Sequence, residues 1–265
     1  MTIQYKKAGL TVFESALYRT TSTVLEWGNE IVIIDPNWLP NEVQFIRDFV
    51  DGKYKNVPKN LLFTHSDYDH IIGYGAFPEA TTIAEINFVN NPMKKNIVQQ
   101  ILDFDDQYYI QRPYKIEYPR IDKIITKNKT TLESNGEEAI FYPVAGHVNN
   151  GLCVVFPSRK LCVVGDYLCD IEIPMVEFSF EKYAETLDLL KNVVNEFQVE
   201  TCITGHGNIA LGQQGILHRI QVDLLYLHGM LSGLDASNSL FEKTIQTKGN
   251  ILQNRIIHQN NCNLI

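Results

Sequence analysis

The sequence lacks several features that would point to a particular compartment or partner. Its five cysteines show no Cys-x-x-Cys spacing and are too sparse for a disulfide framework, so we expect a reducing compartment. No apolar run approaches the length of a membrane span, and the first residues lack the apolar stretch of a secretory signal. Lysine and arginine form no block and the net charge is −8, which disfavours nucleic acid or an anionic membrane as partner. We therefore expect a cytoplasmic protein.

The 265 residues are enough for one large domain or two small ones, and they contain no internal repeat, no low-complexity tract and no linker rich in proline, glycine or serine. No Gly-x-Ser-x-Gly motif is present, so a serine nucleophile of that type is not expected. Residues 85–118 differ from the rest, being rich in Asn, Gln, Asp and aromatic side chains, with helical character over Met93–Tyr109. We interpret 85–118 as a helical or loop insertion of the kind that lines or covers a pocket.

The remaining sequence alternates short β-type runs with helical segments. Helical spacing of apolar residues covers Asn41–Val50, with Asn41 as the expected cap, and also Phe180–Phe197 and Leu211–Leu234. The β-type runs are Leu10–Phe13, Ser22–Trp27, Ile31–Asp35, Leu61–Phe63, Thr81–Ala84, Ile121–Thr126, Thr131–Leu132, Ala139–Val144, Gly151–Phe156, Leu161–Val164 and Thr201–Thr204. Strands in two groups, each associated with helices, predict an α/β fold built as a layered sandwich.

The densest chemical feature is the stretch from Thr64 to His70, which follows a predicted buried strand. It holds two histidines and two aspartates, all of them ligand-type residues: His65, Asp67, Asp69 and His70. His65 and Asp67 are two positions apart and can share a direction in extended backbone, whereas Asp69 and His70 can point at a second centre. The stretch can therefore serve two metals. The competing interpretation is a polar loop in which Asp67 or Asp69 caps a helix.

Three later segments repeat this pattern of an apolar strand that ends in glycine and a ligand-type residue. They are Gly146-His147, Gly165-Asp166 and Gly205-His206. A lone histidine after a strand is commonly a hydrogen-bonded loop residue, but three such pairs favour a shared centre that the backbone approaches closely. We assign no role to the other three histidines, which are His218, His228 and His258.

With these motifs, the chain resembles the metallo-β-lactamase superfamily of hydrolases over about residues 10–235. The HxHxDH motif of that family corresponds to residues 65–70, and its later GH, GD and GH pairs follow in order. The resemblance implies a single domain over residues 1–265, built as a four-layer αβ/βα sandwich with a metal site at one edge. It implies one metal site of His65, Asp67 and His147, and a second of Asp69, His70 and His206, with Asp166 bridging both.

One departure from the family motif is Asp67, which stands where the family has its second histidine. An anionic ligand favours harder cations and so makes manganese and iron more competitive. Zinc also accepts carboxylate oxygen and stays the expected metal. Two divalent ions about 3.5–4 Å apart clamp a hydroxide nucleophile and polarise a substrate oxygen. We expect Asp69 to act as the catalytic residue by orienting that hydroxide and relaying its proton.

Residues beside the ligands are candidates for supporting the metal ligands or for contacting a substrate. Asp35, at the end of the Ile31–Asp35 strand, is the candidate that fixes a histidine ring, or else a simple turn residue before proline. The other candidates flank ligands in the sequence: Tyr68, Asn149, Asn150, Tyr167 and Cys169.

The primary functional prediction is hydrolysis of an ester-type bond in a small molecule, such as a lactone or thioester. Phe77-Pro78-Glu79-Ala80 resembles the lactonase and glyoxalase-II side of the family more than its nucleases. Alternatives are a phosphodiesterase and a non-haem iron oxidoreductase, since His65, Asp67 and His147 form a two-histidine, one-carboxylate set. A third alternative is a binding or regulatory protein on a degraded scaffold. It predicts missing metal ligands, whereas seven ligand-type residues are present. The oligomeric state is open, with a homodimer among the options, and residues 256–265 are expected to pack on a partner or to fray.

Overall fold

The computed structural model describes residues 1–233, 241–245, 248–249 and 251–265. Contacts divide the chain into two compact units, Met1–Pro143 and Val144–Ile265, which are described in turn. A single domain over 1–265 with an insertion at 85–118 stays a prediction.

The first unit contains a seven-stranded sheet whose spatial order follows the chain. Its strands are β1 (Thr2–Lys7), β2 (Leu10–Glu14), β3 (Thr21–Trp27), β4 (Glu30–Ile34), β5 (Lys59–Leu62), β6 (Thr81–Glu85) and β7 (Lys123–Ile125). β1 to β4 pair antiparallel and β4 to β7 pair parallel. The sequence analysis did not predict β1, because its residues are exposed or half-buried and Ile3 and Tyr5 are its only apolar side chains.

The helices of this unit are α1 (Pro40–Tyr54), α2 (Tyr68–Ile71), α3 (Ile86–Val89) and α4 (Lys94–Gln107). α1 follows its apolar spacing, since Val43, Ile46 and Val50 are fully buried in one core with β4 and β5. Each such side chain contributes about 1.5–3 kcal/mol by leaving water. Within 85–118 the structure has α3 and α4, and α4 agrees with the helix predicted over Met93–Tyr109 to within two residues.

The start of α1 differs from the prediction, because Asn41 does not cap it. The Glu42 carboxylate accepts hydrogen bonds from the Leu39 N–H at 3.1 Å, the Ala16 N–H at 3.0 Å and the Ser15 hydroxyl at 2.7 Å. Burial by itself raises the pKa of Glu42, but these donors outweigh it and hold the pKa below its ordinary value. A buried, ionised carboxylate therefore links the start of α1 to the loop after β2.

The unit also contains an antiparallel hairpin of β8 (Thr130–Ser134) and β9 (Glu137–Val144), which reaches the boundary of the second unit. In the seven-stranded sheet, Gly28 and Asn29 form the turn between β3 and β4.

The second unit contains four strands in the spatial order β13, β12, β11, β10. They are β10 (Gly151–Phe156), β11 (Leu161–Val163), β12 (Thr201–Ile203) and β13 (Ala210–Leu211), and the helices are α5 (Phe180–Glu196), α6 (Gln213–Leu231) and α7 (Ile251–Cys262). β11 and β12 pair in parallel, with α5 in the connection between them. Ser179 caps α5 by accepting from the Lys182 N–H.

Two predictions for this unit are corrected. The helix predicted over Leu211–Leu234 spans only Gln213–Leu231, because Leu211 belongs to β13; Leu234 lies outside the described residues. Residues 256–265 were expected to fray or to pack on a partner; 256–262 belong to α7, whose inner face is buried, so fraying is wrong for them, and packing on a partner stays a prediction. Among the helices that the structure describes, none is long and apolar enough to cross a membrane.

Candidate metal centre

The first cluster of ligand-type side chains lies directly after β5. His65 and His70 are fully buried, with ring centroids 4.1 Å apart, and Asp69 is 7 % exposed. Asp67 Oδ2 lies 3.4 Å from His65 Nε2, and Asp69 Oδ2 lies 3.6 Å from His70 Nε2. Each histidine therefore presents the same ring nitrogen to one carboxylate.

The capping interpretation of this stretch is not supported. Asp67 occupies the N-cap position of α2, but its side chain makes no capping hydrogen bond. Its carboxylate lies beside His65 instead, while the backbone of Asp67 and His70 closes the turn at 2.9 Å. The short helix α2 thus holds the adjacent residues Asp69 and His70 on a tight turn.

A chain of hydrogen bonds from Asp35 fixes both histidine rings. Asp35 Oδ2 accepts from the Thr64 hydroxyl at 2.5 Å and lies 3.0 Å from His70 Nδ1. Because the Thr64 hydrogen goes to Asp35, its oxygen is the acceptor for His65 Nδ1, 3.0 Å away. Both rings are therefore protonated on Nδ1, which leaves Nε2 as the metal-binding atom. The sequence pointed to Asp35, while Thr64 was missed although it precedes His65 directly.

The second unit carries a cluster of three ligand-type side chains. His147, Asp166 and His206 follow β9, β11 and β12 respectively. Asp166 Oδ2 lies 3.5 Å from His147 Nε2 and 3.2 Å from His206 Nε2. Because β11 and β12 pair in parallel, with Val163 opposite Ile203, the residues three positions further along meet at one sheet edge.

A glycine is required immediately before His147. Gly146 has φ of +134°, and a Cβ there would lie 2.2 Å from Tyr183 Cα. The close approach that the Gly-ligand pairs predicted is therefore present at this turn. Gly165 also has a positive φ, whereas Gly205 does not and donates its N–H to the Gly165 carbonyl at 2.6 Å.

Backbone groups hold the second cluster in place. The Met175 carbonyl accepts from His147 Nδ1 at 2.9 Å, which again leaves Nε2 facing the carboxylate. The Tyr167 hydroxyl accepts from the His147 N–H at 3.3 Å, and the Tyr183 hydroxyl donates to the Asp166 carbonyl at 3.2 Å. Sequence reasoning missed Met175, because a carbonyl acceptor carries no side-chain signal, and Tyr183, because it lies 17 positions from Asp166 in the sequence.

The remaining candidates differ in exposure. Tyr68 is half-buried, with its ring 5.4 Å from that of Trp38, and burial followed by the charge of Asp69 raises the pKa of its phenol. Asn149 is exposed. Tyr167 and Cys169 are buried, and burial raises the pKa of the Cys169 thiol well above its ordinary value, which disfavours a reactive thiolate.

The separations within each cluster fit shared metal ions. Two ligands about 2.05 Å from a tetrahedral ion lie about 3.3 Å from each other. The four histidine–aspartate pairs lie between 3.2 and 3.6 Å apart. Such a mixture of imidazole nitrogen and carboxylate oxygen suits zinc, manganese or iron.

Comparison with known proteins decides the family. A model described as the metallo-beta-lactamase superfamily matches residues 17–206, which is more than half of the chain. The chain belongs to the metallo-β-lactamase superfamily. Membership confirms the predicted family.

Solved structures with the same fold support the predicted αβ/βα class. The stereoselective inverting sec-alkylsulfatase Pisa1 from Pseudomonas sp. matches with a TM-score of 0.67 and 13% identity, over 90% of this chain and 43% of that one. Metallo-beta-lactamases from Pontibacter korlensis and Hirschia baltica match with TM-scores of 0.58 and 0.54, at 13% and 15% identity. These cover 84% and 83% of this chain, and 98% and 96% of theirs. This superfamily member thus spans under half of the sulfatase's length, and no curated protein matches it.

Proposed function

We propose that this superfamily member is a metal-dependent hydrolase with two divalent ions, zinc being the expected metal. The ligand assignment follows the family motif: His65, Asp67 and His147 at one ion, Asp69, His70 and His206 at the other, and Asp166 at both. The observation that carries the proposal is the fixed tautomer of His65, His70 and His147.

Each of these rings has its Nδ1 beside an acceptor within 3.0 Å and its Nε2 beside a carboxylate oxygen. In a merely structural histidine this arrangement would be unfavourable, because an unprotonated Nε2 and a carboxylate oxygen are both acceptors. A metal ligand does need it, because only the unprotonated nitrogen can coordinate.

When bound, two divalent ions lower the pKa of a water molecule and polarise an oxygen of the substrate. The protein's part is to hold ligands and to move a proton. The Thr20 hydroxyl donates to Asp69 Oδ2 at 3.3 Å and so orients that carboxylate. We propose that Asp69 accepts the proton of the attacking water, a role that general-base residues fill with about 10²–10⁴-fold rate effects.

The proposed substrate is a small molecule with an ester-type bond, such as a lactone or thioester. The net charge of −8 disfavours polyanions such as RNA, which argues against the nuclease side of the superfamily. The fold likeness to an alkylsulfatase adds sulfate esters to the compounds that need testing. We place this activity in the cytoplasm, as the cysteine usage predicts.

A second candidate is an iron oxidoreductase, which one contact favours. Asp67 Oδ2 lies beside His65 Nε2, and this hard oxygen ligand makes one site a carboxylate-containing set of the type that iron uses. Asp67 is also the more accessible of the two residues, its side chain being 22% exposed against 2% for His65.

Metal analysis of protein purified without chelators tests both candidates. Two zinc or manganese ions per chain, with turnover of esters in a panel of lactones, thioesters, phosphodiesters and alkyl sulfates, is the expected result. Iron alone, together with oxygen consumption, would overturn the hydrolase. Turnover confined to the phosphodiesters or the sulfates would overturn the carboxylic ester assignment.

A pair of aspartate variants tests the role of Asp69. Asp69→Asn should lower kcat by at least about 100-fold. Asp103→Asn is the matched control, because Asp103 lies on the exposed face of α4 and accepts a hydrogen bond from Gln99 of the same helix. Equal kcat values for the two variants would remove Asp69 from the mechanism.

A further inference from the structure

The C-terminal helix α7 contacts the loop that follows Asp166 through two asparagines. Asn254 Oδ1 accepts from the Ile173 N–H at 2.8 Å, and its Nδ2 donates to the Ile171 carbonyl at 3.0 Å. Asn261 Oδ1 accepts from the Val176 N–H at 3.1 Å, and its Nδ2 donates to the Pro174 carbonyl at 2.7 Å. Each side-chain amide thus brackets one loop residue, because it forms hydrogen bonds with the backbone on both sides of that residue.

The two bracketed residues are Glu172 and Met175. The distance between Asn254 and Asn261 along α7 matches the distance between these two residues along an extended loop. Seven residues of α-helix advance about 10.5 Å, and three residues of extended chain advance about 10 Å. The buried positions of α7 are Asn254, Ile257, His258 and Asn261, which is the i, i+3, i+4, i+7 face of one helix.

The residue that Asn261 brackets is the one that holds a proposed metal ligand. The Met175 carbonyl accepts from His147 Nδ1, and His147 Nε2 faces Asp166. Since Met175 has its neighbours on both sides bonded to one side chain, the direction of its carbonyl is set by α7. Asn254 brackets residue 172 instead, whereas the carbonyl that accepts from His147 Nδ1 belongs to Met175.

Asn261 is itself held by further contacts within this unit. Its amide also donates to the Tyr226 hydroxyl at 3.0 Å, and that hydroxyl lies 2.9 Å from His258 Nδ1. Asn254 and Asn261 are 0% and 1% exposed, so their hydrogen bonds are shielded from water. A third tether lies nearby, because the buried Lys248 ammonium donates to the Cys169 carbonyl and pairs with Asp223 at 2.8 Å.

We propose that Asn261 is a positioning residue for the metal centre: by bracketing Met175, it sets the tautomer and orientation of His147. The proposal rests on the proposed function only where it gives the tautomer a role in metal binding, because the hydrogen bonds themselves form without a metal. α7 lies outside the residues that the family model matches, so this support is a feature of this chain beyond the shared motif.

The test uses aspartate substitutions at neighbouring positions of α7 in the full chain. In Asn261→Asp the carboxylate still accepts from Val176 but cannot donate to the Pro174 carbonyl, so the segment around Met175 must move. Asn260→Asp is the matched control, with the same charge change on an exposed neighbouring residue. Asn254→Asp makes the same change at the asparagine that brackets Glu172 and not Met175.

Two readouts are measured, and the first needs no metal. Long-range ¹H–¹⁵N spectra of metal-free, ¹⁵N-histidine-labelled protein report the His147 tautomer, its signals being assigned by their loss in His147→Asn. Zinc affinity by competition with a chromophoric chelator is the second. We expect Asn261→Asp to lower the Nδ1–H population of His147 and to weaken zinc binding about tenfold. Asn260→Asp should leave both within twofold, and Asn254→Asp should move the tautomer less.

A folded Asn261→Asp protein with the wild-type tautomer and wild-type zinc affinity would overturn the proposal. An equal tautomer shift in Asn254→Asp would also overturn it, because loosening of α7 in general would then account for the effect. If Asn261→Asp does not fold, Asn261→Ala against Asn260→Ala is read by the same two measurements. Absence of zinc binding by the wild-type protein would count against the proposed function alone, and the tautomer would still decide the role of Asn261.

Discussion

Asp35 is the residue whose replacement should damage the first cluster most without removing a proposed ligand. Its Oδ1 accepts from the Thr64 N–H at 2.9 Å, and its Oδ2 serves both the Thr64 hydroxyl and His70 Nδ1. Asp35→Asn keeps the size of the side chain and the first of these bonds. It places an NH₂ group where Oδ2 was, so a donor then faces His70 Nδ1.

The expected consequence is a change of tautomer. His70 Nδ1 becomes an acceptor, its proton moves to Nε2, and the nitrogen that faces Asp69 can no longer coordinate a metal. Loss of such an outer partner weakens metal binding by about 10–100-fold, or about 1.4–2.7 kcal/mol. Without metal, replacing two hydrogen bonds to a buried carboxylate by weaker ones should lower the free energy of unfolding by about 2–4 kcal/mol.

Metal affinity is measured by chelator competition, and stability by denaturant unfolding in the presence of a chelator. Asp48→Asn is the control, because Asp48 lies on the exposed surface of α1 and accepts a hydrogen bond from Gln44, one helical turn earlier. Its stability should change by less than about 0.5 kcal/mol. A folded Asp35→Asn protein with unchanged metal affinity would refute the argument that Asp35 fixes the His70 tautomer.

Three further predictions concern other positions. Because the pKa of Glu42 is lowered in the folded state, its ionised form adds stability above about pH 4.5 that is lost as the pH falls; Glu42→Gln should therefore unfold more easily at pH 7 and lose less stability between pH 5 and 3, and an unchanged pH profile would contradict this. Gly146→Ala should cost about 3 kcal/mol from its positive φ and its clash with Tyr183, whereas Gly52→Ala, with open space around it, should be neutral or stabilising in thermal unfolding. Asp67→His should raise the preference for zinc over manganese by roughly tenfold, measured as the ratio of the two affinities, and an unchanged ratio would show that Asp67 does not select the metal.

Much of the fold follows from local patterns in the sequence. The apolar spacing of α1 and α5 and the β-type runs locate these elements to within a few residues, because burial of one face is written directly into the sequence. The exceptions have physical causes. β1 is largely exposed, and the inner face of α7 contains Asn254 and Asn261, which look like surface residues when only hydrophobicity is considered.

For the candidate metal centre, too, one part could be predicted from the sequence and another part could not. The sequence by itself determined the ligand-type residues, since each follows an apolar strand or a glycine turn and such signals are local. The tertiary structure decided how those residues are held: the Asp35–Thr64 chain to two histidines, the Met175 carbonyl on His147, and the grip of Asn261 on the Met175 segment. These contacts join residues up to 87 positions apart, and the Met175 and Pro174 acceptors are backbone carbonyls, which every residue possesses. Hydrogen-bond partners of that kind leave no trace in residue type, so only the folded chain reveals them.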